Sequence, residues 1–202
     1  MSLESKRVIE EVLEEYFKDT YQISANGELR FIFSDGVAEK FQSGRHQMAT
    51  SQGVWYSRPD FYFGGELFIC ASAMEAVSFA ALQSEKSSTL HQAVWLSAGL
   101  RCSLPIASHF ILGCRKVNLL FGRGLLDTLL AVKICLSLKS YQVNFWLDDE
   151  LLHCRFRGKQ HVFSVDGFSL SRFKQATGLR DYSRMRRPGG ADSYLDKMLL
   201  GI

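Results

Sequence analysis

No apolar run in this chain approaches the roughly 20 residues needed to span a bilayer. The first residues, MSLESKRVIEEVLEEYF, also lack the basic flank, continuous apolar stretch and small-residue cleavage site of a signal peptide. The expectation is a cytoplasmic protein without a membrane segment. No two of the five cysteines (Cys70, Cys102, Cys114, Cys135, Cys154) have C-x-x-C spacing. Neither a zinc site nor a disulfide framework is indicated, and buried reduced thiols are the better reading. The histidines (His46, His91, His109, His153, His161) show no metal-binding spacing; His153 and His161 read first as exposed strand histidines, with pairing across a hairpin as the alternative. Ser78 and Ser97 have no marked base partner and there is no G-x-S-x-G elbow, so serine hydrolysis is not indicated. Neither cofactor nor metal is expected from these patterns.

What is present is an ordinary globular composition, 47% apolar, in a length suited to one domain with small appendages. The net charge of +3 is unevenly spread: residues 153–187 hold nine Lys or Arg against two acids, whereas the first twenty residues carry more acid than base.

The stretch KVNLLFGRGLLDTLLAVKICLSLKS (residues 116–140) organises the rest. It predicts a strand, a Gly122-Arg123-Gly124 turn and a buried helix, the repeating unit of an open α/β sheet. Residues 4–18 predict a helix with an acidic, solvated face, and residues 21–42 a small antiparallel meander turning at Asn26-Gly27 and Asp35-Gly36. Residues 43–60 read as a loop. Strands are predicted at 66–71, 92–97, 116–121 and 142–147, with helices at 72–84, 105–113 and 125–139 between them. Residues 151–156 and 161–165 predict a hairpin around Gly158-Lys159, followed by a helix over 169–177 and a basic segment ending in a short amphipathic helix. The fold class is therefore α/β: an open, mostly parallel four-stranded sheet with helices on both faces, a meander with a helix before it, and a hairpin and helix after it. The corresponding divisions are 1–60, 61–150 and 151–202.

Three stretches carry a resemblance: Ala71-Ser72-Ala73-Met74-Glu75-Ala76 after the first strand, Phe121-Gly122-Arg123-Gly124 after the third, and Gly190-Ala191-Asp192-Ser193. In order and spacing they resemble the Toprim fold, the catalytic domain of bacterial primases, topoisomerases and related nucleases, including primase-like proteins of mobile elements. In active members a Glu ends the first strand and an Asp-x-Asp ends the third, and these acids hold Mg²⁺. Here the resemblance puts Ala71, Gly122 and Gly124 at those positions. None offers a side-chain oxygen, which Mg²⁺ requires. The resemblance thus implies a degenerate, non-catalytic module.

The remaining acids have structural readings. Ser72 and Glu75 have capping-box spacing, and Asp127 falls in a first helical turn, where it complements the helix dipole. Gly122, Arg123, Gly124 and Ser72 also frame a candidate phosphate site at the strand ends. Arg155, Arg157, Arg184, Arg186 and Arg187, with Arg180, Lys159 and Tyr182 nearby, suit a nucleic-acid backbone. The expected partner is DNA or RNA, with a protein of a replication or mobilisation complex as a second. One alternative is a metal-dependent primase- or nuclease-type enzyme using displaced acids among Glu66, Glu75, Asp127, Asp148, Asp149 and Glu150. Another is a protein-interaction scaffold that docks a partner on the acidic helix over 4–18 or on the loop over 43–60, with exposed aromatic surface expected around Trp55.

Overall fold

The computed structural model describes residues 3–42, 45–57, 65–84, 88–101, 114 and 116–201. The helix expected at 105–113, with Cys102 and His109, lies outside these residues.

Helix α1 (Leu3–Tyr16) forms because Ile9, Val12, Leu13 and Tyr16 recur on one face and become buried, while Glu10, Glu11, Glu14 and Glu15 stay exposed. Strands β1 (Gln22–Ile23), β2 (Leu29–Ile32), β3 (Ala38–Gln42) and β4 (Arg45–Gln47) make an antiparallel meander. Its turns need positive φ, which Gly27 (76°) and Gly36 (82°) supply. The segment read as a loop therefore contributes β4, and also β5 (Trp55–Tyr56).

The main sheet comes from runs too apolar to leave a face in water. β6 (Glu66–Cys70), β7 (Val94–Ser97) and β8 (Lys116–Leu120) are parallel neighbours and almost wholly buried. Helix α2 (Ala73–Gln83) shares one core with Phe68, Cys70 and Leu120, a core that α1 also enters. Helix α3 (Leu125–Ser137) shares a second core with Leu67, Ile69 and Leu119. Alternate residues of each strand thus feed opposite layers. A short 3₁₀ turn, Ser88–Gln92, precedes β7.

Two strands depart from the expected order. β9 (Asn144–Asp148) does not join the parallel sheet. It pairs antiparallel with β10 (Leu151–Phe156), which pairs with β11 (Lys159–Ser164), making a separate three-stranded sheet. The β10–β11 turn centres on Arg157 (φ 49°) and Gly158 (φ 77°), one residue earlier than expected. Two consecutive positive φ values give the twist a tight hairpin needs. After α4 (Leu170–Thr177), β12 (Arg184–Arg186) lies parallel to β8, with Arg184 opposite Asn118 and Arg186 opposite Leu120. The sheet order is β12-β8-β6-β7-β5, with β5 antiparallel to β7. Four parallel strands are present, as expected of the fold class, but the fourth is β12 rather than β9. The chain ends in α5 (Tyr194–Leu200), which packs on α2. Among the described residues no helix is long and apolar enough to cross a membrane.

Candidate functional site at the carboxyl edge of the parallel sheet

Cys70 of β6 pairs with Leu120 of β8, so Ala71 and Phe121 leave the sheet side by side, and Ser72 and Gly122 follow them. This is the edge where open α/β sheets place ligands. Three helix N-termini converge here, from α2, α3 and α5. Their free amides decide what the edge can hold.

The N-terminus of α2 is closed by acids of the chain itself. Glu39, on β3 and fully buried, accepts from the amides of Ala73 (2.8 Å) and Met74 (2.9 Å), and His46 Nε2 lies 3.0 Å from its Oε1. Ser72 Oγ accepts from the Glu75 amide at 3.1 Å, which is half of the expected capping box. The other half fails, because the Glu75 carboxylate does not turn back to Ser72. It instead accepts from the amides of Tyr194 (2.9 Å) and Leu195 (3.1 Å), the first residues of α5. Burial raises the Glu75 pKa, opposed by those two amides.

The β8–α3 turn is roofed by the same C-terminal segment. The Arg123 amide donates to Asp192 O at 3.1 Å, and its guanidinium to Pro188 O at 3.4 Å. A Cβ at Gly122 would stand 2.3 Å from Asp192 O and 2.8 Å from Asp127 Oδ2. Asp127 occupies this space with its carboxylate and accepts from the Gly122 amide. Burial raises its pKa, while that amide and the nearby Arg187 hold it down. Gly124, the N-cap of α3, has no side-chain cap, and Arg123 beside it is exposed.

The strand-end positions themselves supply no ligand for Mg²⁺. Ala71, Gly122 and Gly124 present no oxygen ligand, and both oxygens of Glu75 already accept amides. Among the described residues no group of three or more His, Cys, Asp or Glu is placed to hold a metal. Of the displaced acids, Glu75 and Asp127 both lie at this edge, and Asp127 adds to the upward shift of Glu75, whereas the other four lie elsewhere. Glu66 sits at the far end of β6, bonded to Lys116 Nζ (2.8 Å) and Asn118 Nδ2 (2.9 Å), and those bonds lower its pKa against the opposing effect of burial. Asp148, Asp149 and Glu150 form the exposed β9–β10 turn on the other sheet.

The predicted cations divide into two groups. Arg184 and Arg186 lie on one side of β12, at the free edge of the main sheet. Arg186 Nε donates to Asn118 Oδ1 (3.2 Å), and Arg187 donates to Thr128 Oγ1 (3.3 Å), so neutral acceptors orient both. With Lys197 of α5 they line a cleft of about 420 Å³ bounded by Phe79, Gln83 and Tyr194. Arg155 and Arg157 are on the three-stranded sheet. The Arg157 guanidinium lies 4.4 Å from the Tyr141 ring centroid and bonds its hydroxyl.

Two further expectations change. His161 pairs with Cys154 and His153 with Val162, so the two histidines face opposite sides of the sheet and do not pair. Trp55 is 2% exposed and donates to Thr20 O, making it a core residue rather than part of an exposed aromatic surface. Sequence reasoning missed Glu39 and Lys197. The available signal for Glu39 was its register: it shares the buried face of β3 with Phe41, where an acid needs partners.

No family model matches this chain, and no curated protein matches it. Among solved structures it is similar to the primase fragment of the bacteriophage T7 primase-helicase protein, with 10% identity and a TM-score of 0.45 over 90% of this chain. The chain spans 57% of that fragment. It is also similar to a chain in the bacteriophage T7 lagging-strand DNA polymerase assembly, in which the polymerase interacts with primase domains bound to an RNA/DNA hybrid. There the identity is 9% and the TM-score 0.43, over 95% of this chain and 80% of that one.

Proposed function

We propose that this chain is a nucleic-acid-contacting accessory module with a Toprim-like sheet edge that binds rather than catalyses. The observation that carries this reading is an asymmetry between acids and cations. The acids at the edge, Glu39, Glu75 and Asp127, face the chain's own amides. By contrast Arg123, Arg184, Arg186, Arg187 and Lys197 form no ion pair among the described residues. Arg123, Arg186 and Arg187 are held by neutral acceptors, with Asp127 near Arg187 and Glu66 near Arg186 but neither in an ion pair with them. Cations outside any ion pair suit a phosphate backbone, which gains by releasing its own counterions. Arg155 and Arg157 extend the cationic surface to the second sheet.

The test is a titration of fluorescently labelled single and double strands of unrelated sequences at several salt concentrations. Binding should be micromolar or weaker at physiological salt, tighten steeply as salt falls and depend little on sequence, with Kd values of about 10⁻⁴–10⁻⁶ M. Arg184→Glu combined with Lys197→Glu should weaken it about tenfold or more and flatten the salt slope, with an unchanged melting temperature. Absence of binding to either form at low salt overturns the reading.

A further inference from the structure

The outer face of the β9-β10-β11 sheet has no role in the strand-end site. Cross-strand register places Asn144, Arg155 and Gln160 in one row, Trp146, His153 and Val162 in the next, and Asp148, Leu151 and Ser164 in a third, all on the same face. Every one of these is exposed except His153. The opposite face packs Phe145, Phe156 and Phe163 on Phe168 and Phe173, so most of the sheet's apolar side is already buried, with Leu147 left exposed at its end. Trp146, Leu151 and Val162 stay 40%, 46% and 49% exposed in neighbouring rows of the remaining face, and a contiguous exposed apolar patch marks an interaction surface.

The Trp146 and His153 rings stack at 13° with centroids 5.5 Å apart, and Gln160 Nε2 lies 3.4 Å from His153 Nδ1. The aromatic pair is therefore held before any ligand arrives. Charge is polarised along the strands. Arg155, Arg157 and Lys159 lie at one end, and Asp148, Asp149 and Glu150 at the other. A polyanion is drawn to the first end and repelled from the second, which leaves the aromatic row beside its path.

We infer that this face is a stacking platform for single-stranded nucleic acid, with a base on Trp146 and the backbone directed towards Arg155. Stacking on aromatic side chains tolerates any base but needs it unpaired, so a duplex should not use the platform. The proposal rests on the nucleic-acid reading above and shares Arg155 with it, but its aromatic row lies apart from the strand-end edge.

Trp55 and Trp95 are 2% and 1% exposed, so Trp146 is the tryptophan a ligand can reach, and its emission reports on the platform. The probe is an oligothymidylate of about 12 nucleotides, within the span of ordinary single-strand sites. Saturable quenching of the full chain is expected. Trp146→Ala should weaken single-strand binding, read by anisotropy of a labelled strand, about tenfold or more while duplex affinity stays unchanged. His153→Ala should act in the same direction. If Trp146→Ala binds the oligothymidylate as the parent does, while both still bind duplex, the platform is wrong and the basic edge stands. If neither form of nucleic acid binds, both readings fall. Concentration-dependent dimerisation abolished by Trp146→Ala, without quenching by the oligothymidylate, would make the face a self-interface and overturn the proposal.

Discussion

Glu75→Leu is expected to destabilise the fold by about 2–4 kcal/mol and to loosen the C-terminal helix selectively. Two buried amides, those of Tyr194 and Leu195, lose acceptors that lie 119 and 120 residues away in sequence. Neither can turn to water, because both residues are buried against α2. Denaturant melts give the magnitude, and amide exchange over residues 194–200 gives the location. Loss of protection confined to that helix supports the latch. Uniform loss across α2 and the parallel strands would show that Glu75 supports the core in general.

The same carboxyl group gives the melt a pH dependence. Its folded-state pKa is raised from an ordinary value near 4.5, chiefly by burial. The folded protein therefore holds the proton more tightly than the unfolded chain does. That contribution is fully present below about 4.5 and is lost as pH rises through the raised value. Asp127 is shifted in the same direction. Stability of the parent should fall relative to Glu75→Gln across this window, since the amide does not titrate. Parallel pH profiles for the two would contradict the assignment.

Gly122→Ala is expected to cost about 2–3 kcal/mol, a large penalty for one methyl group. The added carbon would stand 2.3 Å from the Asp192 carbonyl, which is backbone and cannot rotate away. The segment from Pro188 to Ser193 must lift, and with it goes the bond from the Arg123 amide. Gly124→Ala is the matched control. Its nearest neighbour is the Asp127 Oδ2 at 3.2 Å, the end of a side chain, and its φ of −62° suits alanine. It should change stability by no more than about 1 kcal/mol. Equal effects at the two glycines would mean that the roof is not seated on Gly122.

Much of this architecture was legible in the sequence. Alternating apolar runs and helical stripes placed β6, α2, β7, β8 and α3, because strands buried on both faces and helices packed on them leave strong periodic signals. β9 was misplaced because a short apolar run does not say whether its partner is parallel or antiparallel. β12 was illegible, since Arg-Met-Arg carries no strand pattern and is defined by its pairing with Asn118, Leu119 and Leu120. The strand-end positions Ala71, Gly122 and Gly124 could be read locally. What covers them could not. Glu39 reaches α2 across 34 residues, and Glu75 reaches α5 across 119, and local spacing holds no trace of either contact. The capping-box reading of Glu75 failed for the same reason: two buried amides from a distant helix were better partners than the nearby amide of Ser72.

The most direct test of the central claim is a Mn²⁺ titration of the full chain, followed by calorimetry or by the paramagnetic signal of the free ion. With the edge acids committed to backbone amides and glycine or alanine at the strand ends, no saturable uptake is predicted in the concentration range where metal-dependent phosphoryl-transfer enzymes fill their sites. Uptake of one ion per chain, abolished by Asp127→Asn or Glu75→Gln, would contradict it and make the sheet edge a metal site.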